Sequence, residues 1–152
     1  MYFIIPWNLY ILKVKYIIDK VDLIHSVDSY SLIKEIEKQA NKHNLVMKVL
    51  IQVNIAKEES KHGFKVEEIE EVFDTLKNYP HIEVKGLMMM APNIEAEKTR
   101  EYFKLTQDLF NQLKIKYPEY SLTELSMGMS NDYKIALEYG ATMVRIGSSL
   151  FK

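Results

Sequence analysis

The chain has 152 residues, enough for one ordinary domain, and its 47% hydrophobic and 27% charged content is that of a globular protein with a packed core. A formal net charge of -1 excludes the basic surface that neutralises nucleic-acid phosphates. With no cysteine there is no disulfide framework, no thiolate nucleophile and no cysteine-ligated metal, which fits a reducing, cytoplasmic setting.

The N-terminal MYFIIPWNLYIL is apolar, but a bilayer span takes roughly 20 apolar residues. It carries no basic start and no small-residue cleavage site, so it does not read as a signal peptide. KVKYIID (13–19) predicts a short helix. LIHSV (23–27) predicts a strand, and Asp28 can cap the next helix with its carboxylate. In that helix Leu32, Ile33, Ile36 and Ala40 recur at helical spacing. MKVLIQVNI (47–55) is apolar almost throughout, as a strand covered on both faces is.

VEEIEEVFDTLKNY (66–79) places Val66, Ile69, Val72, Phe73 and Leu76 on one helical face, and Pro80 closes it. EVKGLMMMA (83–91) is the third clear strand. A helix over roughly 95–116 turns Phe103, Thr106, Phe110 and Leu113 inward. LTELSMG (122–128) and ATMVRIG (141–147) are strands, separated by the helix NDYKIALEYG (131–140) that Gly140 ends.

Strand–helix alternation of this kind predicts βαβ units and a parallel sheet. A doubly wound sheet and a (β/α)8 barrel both satisfy it. No GxGxxG follows the first strand, which argues against a dinucleotide site. Polar residues and glycines gather at the strand ends, as barrel chemistry requires. They are Asp28, Asn54, Met90-Ala91-Pro92, Gly128 with Ser130, and Gly147 with Ser148. Two glycine–hydroxyl pairs after the last two strands suit an anion: glycine lets the backbone approach it, and Ser130 and Gly147-Ser148-Ser149 each open a helix. Taken singly, Ser130 and Ser148 read as helix caps, and Met88-Met89-Met90 as core filling. His25, His43, His62 and His81 lack metal-site spacing and read as surface or strand-end histidines. Lys57, Lys61 and His62 read as a charged solvated loop, with Lys61 approaching the mouth of the site.

HSVDS (25–29), LIQVNIAKEESKHGF (50–64), GLMMMAP (86–92), LSMGMSNDYKIAL (125–137) and GATMVRIGSSLF (140–151) resemble the pyridoxal phosphate homeostasis proteins, the YggS/PROSC family. These are single-domain relatives of the alanine racemase N-terminal barrel. The resemblance runs over about residues 13 to 151. It implies a partial (β/α)8 barrel with strands equivalent to about the third through the eighth, and pyridoxal 5′-phosphate as cofactor. It implies a role in cofactor homeostasis without robust enzymatic activity, and a monomer. Ser130, Gly147 and Ser148 correspond to the phosphate-binding residues, with Gly128 in the GMS motif. Arg145 corresponds to the arginine facing the pyridine nitrogen. A guanidinium keeps its proton, which leaves the ring nitrogen unprotonated and weakens the cofactor as an electron sink. Asn54, Met88 and Met90 would line the site.

The pattern departs from the family at its start. Two βα units and the lysine that bonds the cofactor, in an AVSKT-like motif, have no counterpart here. The stretch IIPWNLYILKVKYI (4–17) stands where a third strand with histidine and glycine is usual. The chain ends before the family's final helix. The expectation is therefore a truncated single domain with five sound strands, a damaged sixth, weakened or lost cofactor binding, and exposed sheet edges that favour self-association. Two other readings stay open. One is a racemase or decarboxylase relative, which would need a second catalytic base. The other is a non-functional remnant.

Overall fold

The protein is described by a computed structural model that covers residues 4–5, 11–59 and 62–147. Strand β1 (Ile4–Ile5) precedes a 3-10 turn and helix α1 (Val14–Ile17). Strand β2 (Leu23–Val27) and helix α2 (Tyr30–Lys42) follow. Strands β3 (Met47–Asn54) and β4 (Phe64–Lys65) lead to helix α3 (Ile69–Leu76). Strand β5 (Ile82–Met89) feeds helix α4 (Arg100–Lys116). Strand β6 (Glu124–Met129), helix α5 (Tyr133–Glu138) and strand β7 (Met143–Arg145) complete the order.

The expected strands are present; Leu23–Val27 has the expected bounds and the edges of the others move by at most two residues. IIPWNLYILKVKYI supplies a two-residue strand, Ile4–Ile5, which pairs with Leu23 and Ile24 of β2. The pair Phe64–Lys65 is an addition; it extends the sheet beside Val53 and Asn54, just after the loop of Lys57, Lys61 and His62. Ser29, not Asp28, caps α2: the Leu32 N–H donates to the Ser29 hydroxyl at 3.2 Å. Asp28 lies one residue too early for that bond, and its carboxylate stands 3.5 Å from His62 Nδ1.

All pairings are parallel, in the order β1-β2-β3-β5-β6-β7 with β4 on β3. Alternation along each strand separates two faces. One face carries Ile24, Val49, Ile51, Val53, Val84, Leu87, Met89, Leu125 and Met127. It packs against Leu32, Ile33 and Ile36 of α2, Ile69, Val72 and Phe73 of α3, Phe103, Phe110 and Leu113 of α4, and Ile135 and Ala136 of α5. The other face holds a small separate cluster made by strands alone, Leu23, Leu50 and Met88, with Met90 and Met143 against it. Helices thus cover the outer face of a partial (β/α)8 barrel, and the second face is its interior.

A bulge in β5 bends this sheet. Val49 pairs with Val84 and Leu50 with Gly86, so Lys85 is the extra residue. At Gly86 the β6 backbone comes so close that a Cβ would fall 1.6 Å from the Glu124 carbonyl oxygen and 3.2 Å from the Phe110 ring. Gly140, by contrast, follows α5 at φ +89° with only the Gln107 amide 3.5 Å from a notional Cβ. Gly86→Ala is therefore expected to destabilise by about 3 kcal/mol or to prevent folding, the upper end of overpacking. Gly140→Ala should cost about 1 kcal/mol, the left-handed conformation alone. Urea unfolding of both variants checks the contrast; equal losses would mean that the Gly86 approach is relaxed in solution.

Candidate functional site

The C-terminal ends of β5, β6 and β7 lie side by side, with Met127 opposite Met89 across one junction and Arg145 opposite Met129 across the next. Ser130 leaves β6 immediately and Gly147 lies two residues beyond β7. The two loops therefore start from neighbouring strands at one end of the sheet. The turn after β6 is closed by Asp132, whose carboxylate accepts the Met129 N–H at 2.7 Å, and by the Asp132 N–H on the Met129 carbonyl at 3.1 Å.

Arg145 is the main charged group of the interior face. Its Nη1 donates to the Ser126 hydroxyl at 2.6 Å and its Nη2 to the Met89 carbonyl at 2.8 Å. Nε is buried with no hydrogen-bond partner among the described residues. Burial pulls the guanidinium down to about 10, opposed by the Asp132 carboxylate, so it stays charged at neutral pH. Two bonds made by different nitrogens fix the plane of the group and leave the Nε edge as an available donor.

Ser126 also meets His25, with Oγ and Nδ1 3.0 Å apart and both residues buried. His25 is on β2 and Ser126 on β6, with β3 and β5 between them. In a flat sheet three strand spacings would part them by about 14 Å. Contact at hydrogen-bond distance requires the sheet to curl, so this bond is direct evidence of barrel-like curvature. His25 is thus no surface or strand-end residue. Burial, reinforced by the Arg145 charge, pushes its ring down to about 4.

The other residues proposed from the sequence are distributed around this centre. Met88 is fully buried on the interior face and Met90 packs against the same cluster, while Met89 between them points into the helix-covered core. The triplet therefore serves both faces. Asn54 ends β3, and its side chain is engaged in holding the next loop: Nδ2 donates to the Glu58 carbonyl at 2.8 Å and Oδ1 accepts the Glu58 N–H at 3.3 Å. Gly128 has φ +104°, and a Cβ there would lie 2.7 Å from Ala136 Cβ and 3.1 Å from Tyr133 Cα. Glycine is needed at 128 for α5 to seat on β6. Among the described residues nothing lies within 4 Å of a notional Cβ at Gly147. Ser148, Ser149 and Lys61 lie outside the described residues. Lys48 and Lys85 face the opposite, N-terminal ends of the strands, where they line a groove of about 670 Å³ with Asp19, Asp22 and Glu124. Among the described residues no cluster of metal-ligating side chains is present, and no helix is long and apolar enough to cross a membrane.

The profile of the alanine racemase N-terminal domain family matches residues 9–152. The chain belongs to that family. It is 46% identical over 140 residues to the pyridoxal phosphate homeostasis protein of Aquifex aeolicus, a match covering 91% of this chain and 61% of that protein. With the homologous protein of Helicobacter pylori strain 26695 it shares 40% over 135 residues, 88% of this chain and 58% of that one. The chain thus spans about three fifths of the length of these curated relatives. The structure of PipY from Synechococcus elongatus with PLP bound superposes with a TM-score of 0.89 at 29% identity, over 100% of this chain and 71% of that chain. An alanine racemase of Clostridium difficile shares the fold at 14% identity and a TM-score of 0.74, over 97% of this chain and 38% of that one.

Sequence reasoning missed His25 and Ser126. A signal existed. Each is a buried polar residue inside a mostly apolar strand, on the face opposite the helix-packing residues Ile24 and Leu125.

The buried neutral histidine has a pH signature. Its folded value is lowered from 6.5 to about 4, so the unfolded chain binds the extra proton between those limits. Stability is full above 6.5 and falls as pH drops toward 4, by about 3 kcal/mol from this group. His25→Asn should remove that slope. Urea melts at stepped pH are expected to show the unsubstituted protein losing ground to the variant over this window. A constant difference would refute a buried neutral ring.

Proposed function

We propose that this chain is a pyridoxal 5′-phosphate-binding unit that acts in homeostasis of that cofactor. The observation that carries the reading is the placement of Arg145, tied to Ser126 and to the Met89 carbonyl at the mouth of the half-barrel with its Nε–H uncommitted among the described residues. The similarity to pyridoxal phosphate homeostasis proteins and to PLP-bound PipY supports it.

The residues present fit such a ligand. Arg145 has only donors to offer and stays charged, so it suits an unprotonated ring nitrogen. Ser130 and Gly147 leave adjacent strands, as a phosphate site requires. Ser148 completes that set in the proposal. Met88 and Met90 supply apolar wall beneath the ring, and Asn54 holds the flanking loop. Gly128 contributes indirectly, by letting α5 pack so that Ser130 is presented. When bound, the cofactor supplies an aldehyde and an electron-poor ring. Arg145 disfavours the protonated ring that strong carbanion chemistry uses, so holding rather than turnover is the proposed role. No AVSKT-like lysine motif occurs in the sequence, and Lys48 and Lys85 lie at the far end of the strands, so a weak, non-covalent complex is proposed for this chain.

Titration with pyridoxal 5′-phosphate, followed by intrinsic fluorescence and equilibrium dialysis, tests the reading. Saturable binding is expected, competed by inorganic phosphate. Arg145→Leu should weaken it by about tenfold or more, the loss of one charge-assisted hydrogen bond. Pyridoxal phosphate methylated at the ring nitrogen, which accepts no hydrogen bond, should bind the unsubstituted protein as poorly as the parent compound binds the variant. No saturable binding by the unsubstituted protein, or equal affinity for the methylated compound, would overturn the proposal.

A further inference from the structure

Among the described residues, His25 is a buried polar group of the interior face that the proposed cofactor site does not use. His25 lies on β2, across the half-barrel from Arg145, and meets it only through the Ser126 hydroxyl. Ser126 Oγ has one proton and two lone pairs to satisfy. One lone pair takes the Arg145 Nη1 proton. The remaining question is which way the bond to His25 runs.

Two arrangements exist for a neutral ring. If Nδ1 carries the proton, it donates to Oγ. Ser126 then accepts twice, its own proton has no other acceptor among the described hydrogen bonds, and the hydroxyl is fully buried. If Nε2 carries the proton, Nδ1 accepts from Ser126, and every polar valence of the hydroxyl except one lone pair is used. Each arrangement leaves one buried donor unmade among the described residues, the Ser126 O–H in the first and the His25 Nε2–H in the second; a hydroxyl that already accepts from the charged Arg145 Nη1 is the stronger donor and the poorer second acceptor, which selects the second arrangement. A doubly protonated ring would add a second cation beside the Arg145 guanidinium and would donate from both nitrogens, so it is disfavoured on both counts.

We infer that His25 is a positioning residue: its neutral ring, protonated on Nε2, accepts the Ser126 proton at Nδ1, which turns a Ser126 lone pair toward Arg145 Nη1 and holds the guanidinium plane in one orientation. Without that acceptor the hydroxyl turns its proton elsewhere, and Arg145 keeps only the Met89 carbonyl as a fixed point. The relay deepens the proposed cofactor reading, since a fixed guanidinium presents its Nε edge to a ring nitrogen in one direction only. The relay itself is a property of the free chain.

Three measurements decide it. Two-bond nitrogen–proton spectra of the histidine-labelled protein at neutral pH should show His25 with Nδ1 unprotonated and Nε2 protonated. A proton on Nδ1, or on both nitrogens, overturns the relay. Exchange spectroscopy of the Arg145 guanidinium should show slow rotation in the unsubstituted protein and in His25→Asn, whose amide oxygen occupies the Nδ1 position, and fast rotation in His25→Leu. Rotation that is equally slow in His25→Leu overturns it. Titration with pyridoxal phosphate should then give affinity within about twofold of the original for His25→Asn and about tenfold weaker for His25→Leu. Equal affinities in all three, or equal losses in both variants, reduce His25 to a packing role and overturn it. If the unsubstituted protein binds no pyridoxal phosphate, the cofactor reading falls while the ring tautomer and guanidinium rotation still judge the relay. Should His25→Leu fail to fold, the tautomer and His25→Asn decide alone.

Discussion

The geometry of this protein depends on a buried polar chain crossing the inside of a curled sheet, from His25 through Ser126 to Arg145 and the Met89 carbonyl. These groups sit on four strands that are not all neighbours. A guanidinium and an imidazole taken from water are costly unless each finds partners. The partners exist only when the sheet curves enough to bring β2 toward β6. Curvature and polar satisfaction are thus the same requirement seen from two sides. The apolar cluster of Leu23, Leu50 and Met88 beside the chain keeps water away from these bonds and strengthens them.

Several local features serve that curvature. The bulge at Lys85-Gly86 bends β5, and the close approach of Glu124 to Gly86 lets β6 follow it. Register breaks between Ile24 and Val27 in β2 and between Ser126 and Met129 in β6 fall at the strands that carry His25 and Ser126. On the outer face, helices α2 to α5 cover the sheet with side chains at the spacing a helix dictates. That layer carries most of the apolar burial, which leaves the interior face free to hold a polar group at its mouth.

The helix-facing half of the fold was legible in the sequence. Leu32, Ile33, Ile36 and Ala40, then Ile69, Val72, Phe73 and Leu76, then Phe103, Thr106, Phe110 and Leu113 are all buried as their periodicity requires. Capping was less legible. Asp28 and Ser29 are both good caps, and only the backbone conformation at Ser29 chose between them. Part of the candidate site was legible as well. Arg145, Ser130 and Gly147 stand at the ends of apolar strands, where a polar residue has no packing reason to be. Gly128 was legible as a necessary glycine, but the neighbour that makes it necessary, Ala136 of α5, is a tertiary contact. Asn54 likewise stood out, while its bonds to Glu58 depend on a loop that no periodicity describes.

By itself the sequence determined the parallel α/β class, the order of strands and helices, and the end of the sheet at which polar residues collect. These follow from local periodicity and from residues whose backbone or side-chain chemistry acts within a few positions. The tertiary structure alone decided that His25 and Ser126, 101 residues apart, share a proton-bearing bond, and that Arg145 is held by it. Sheet curvature sets that distance, and curvature is a sum over bulges, close approaches and helix packing that no single segment of chain contains.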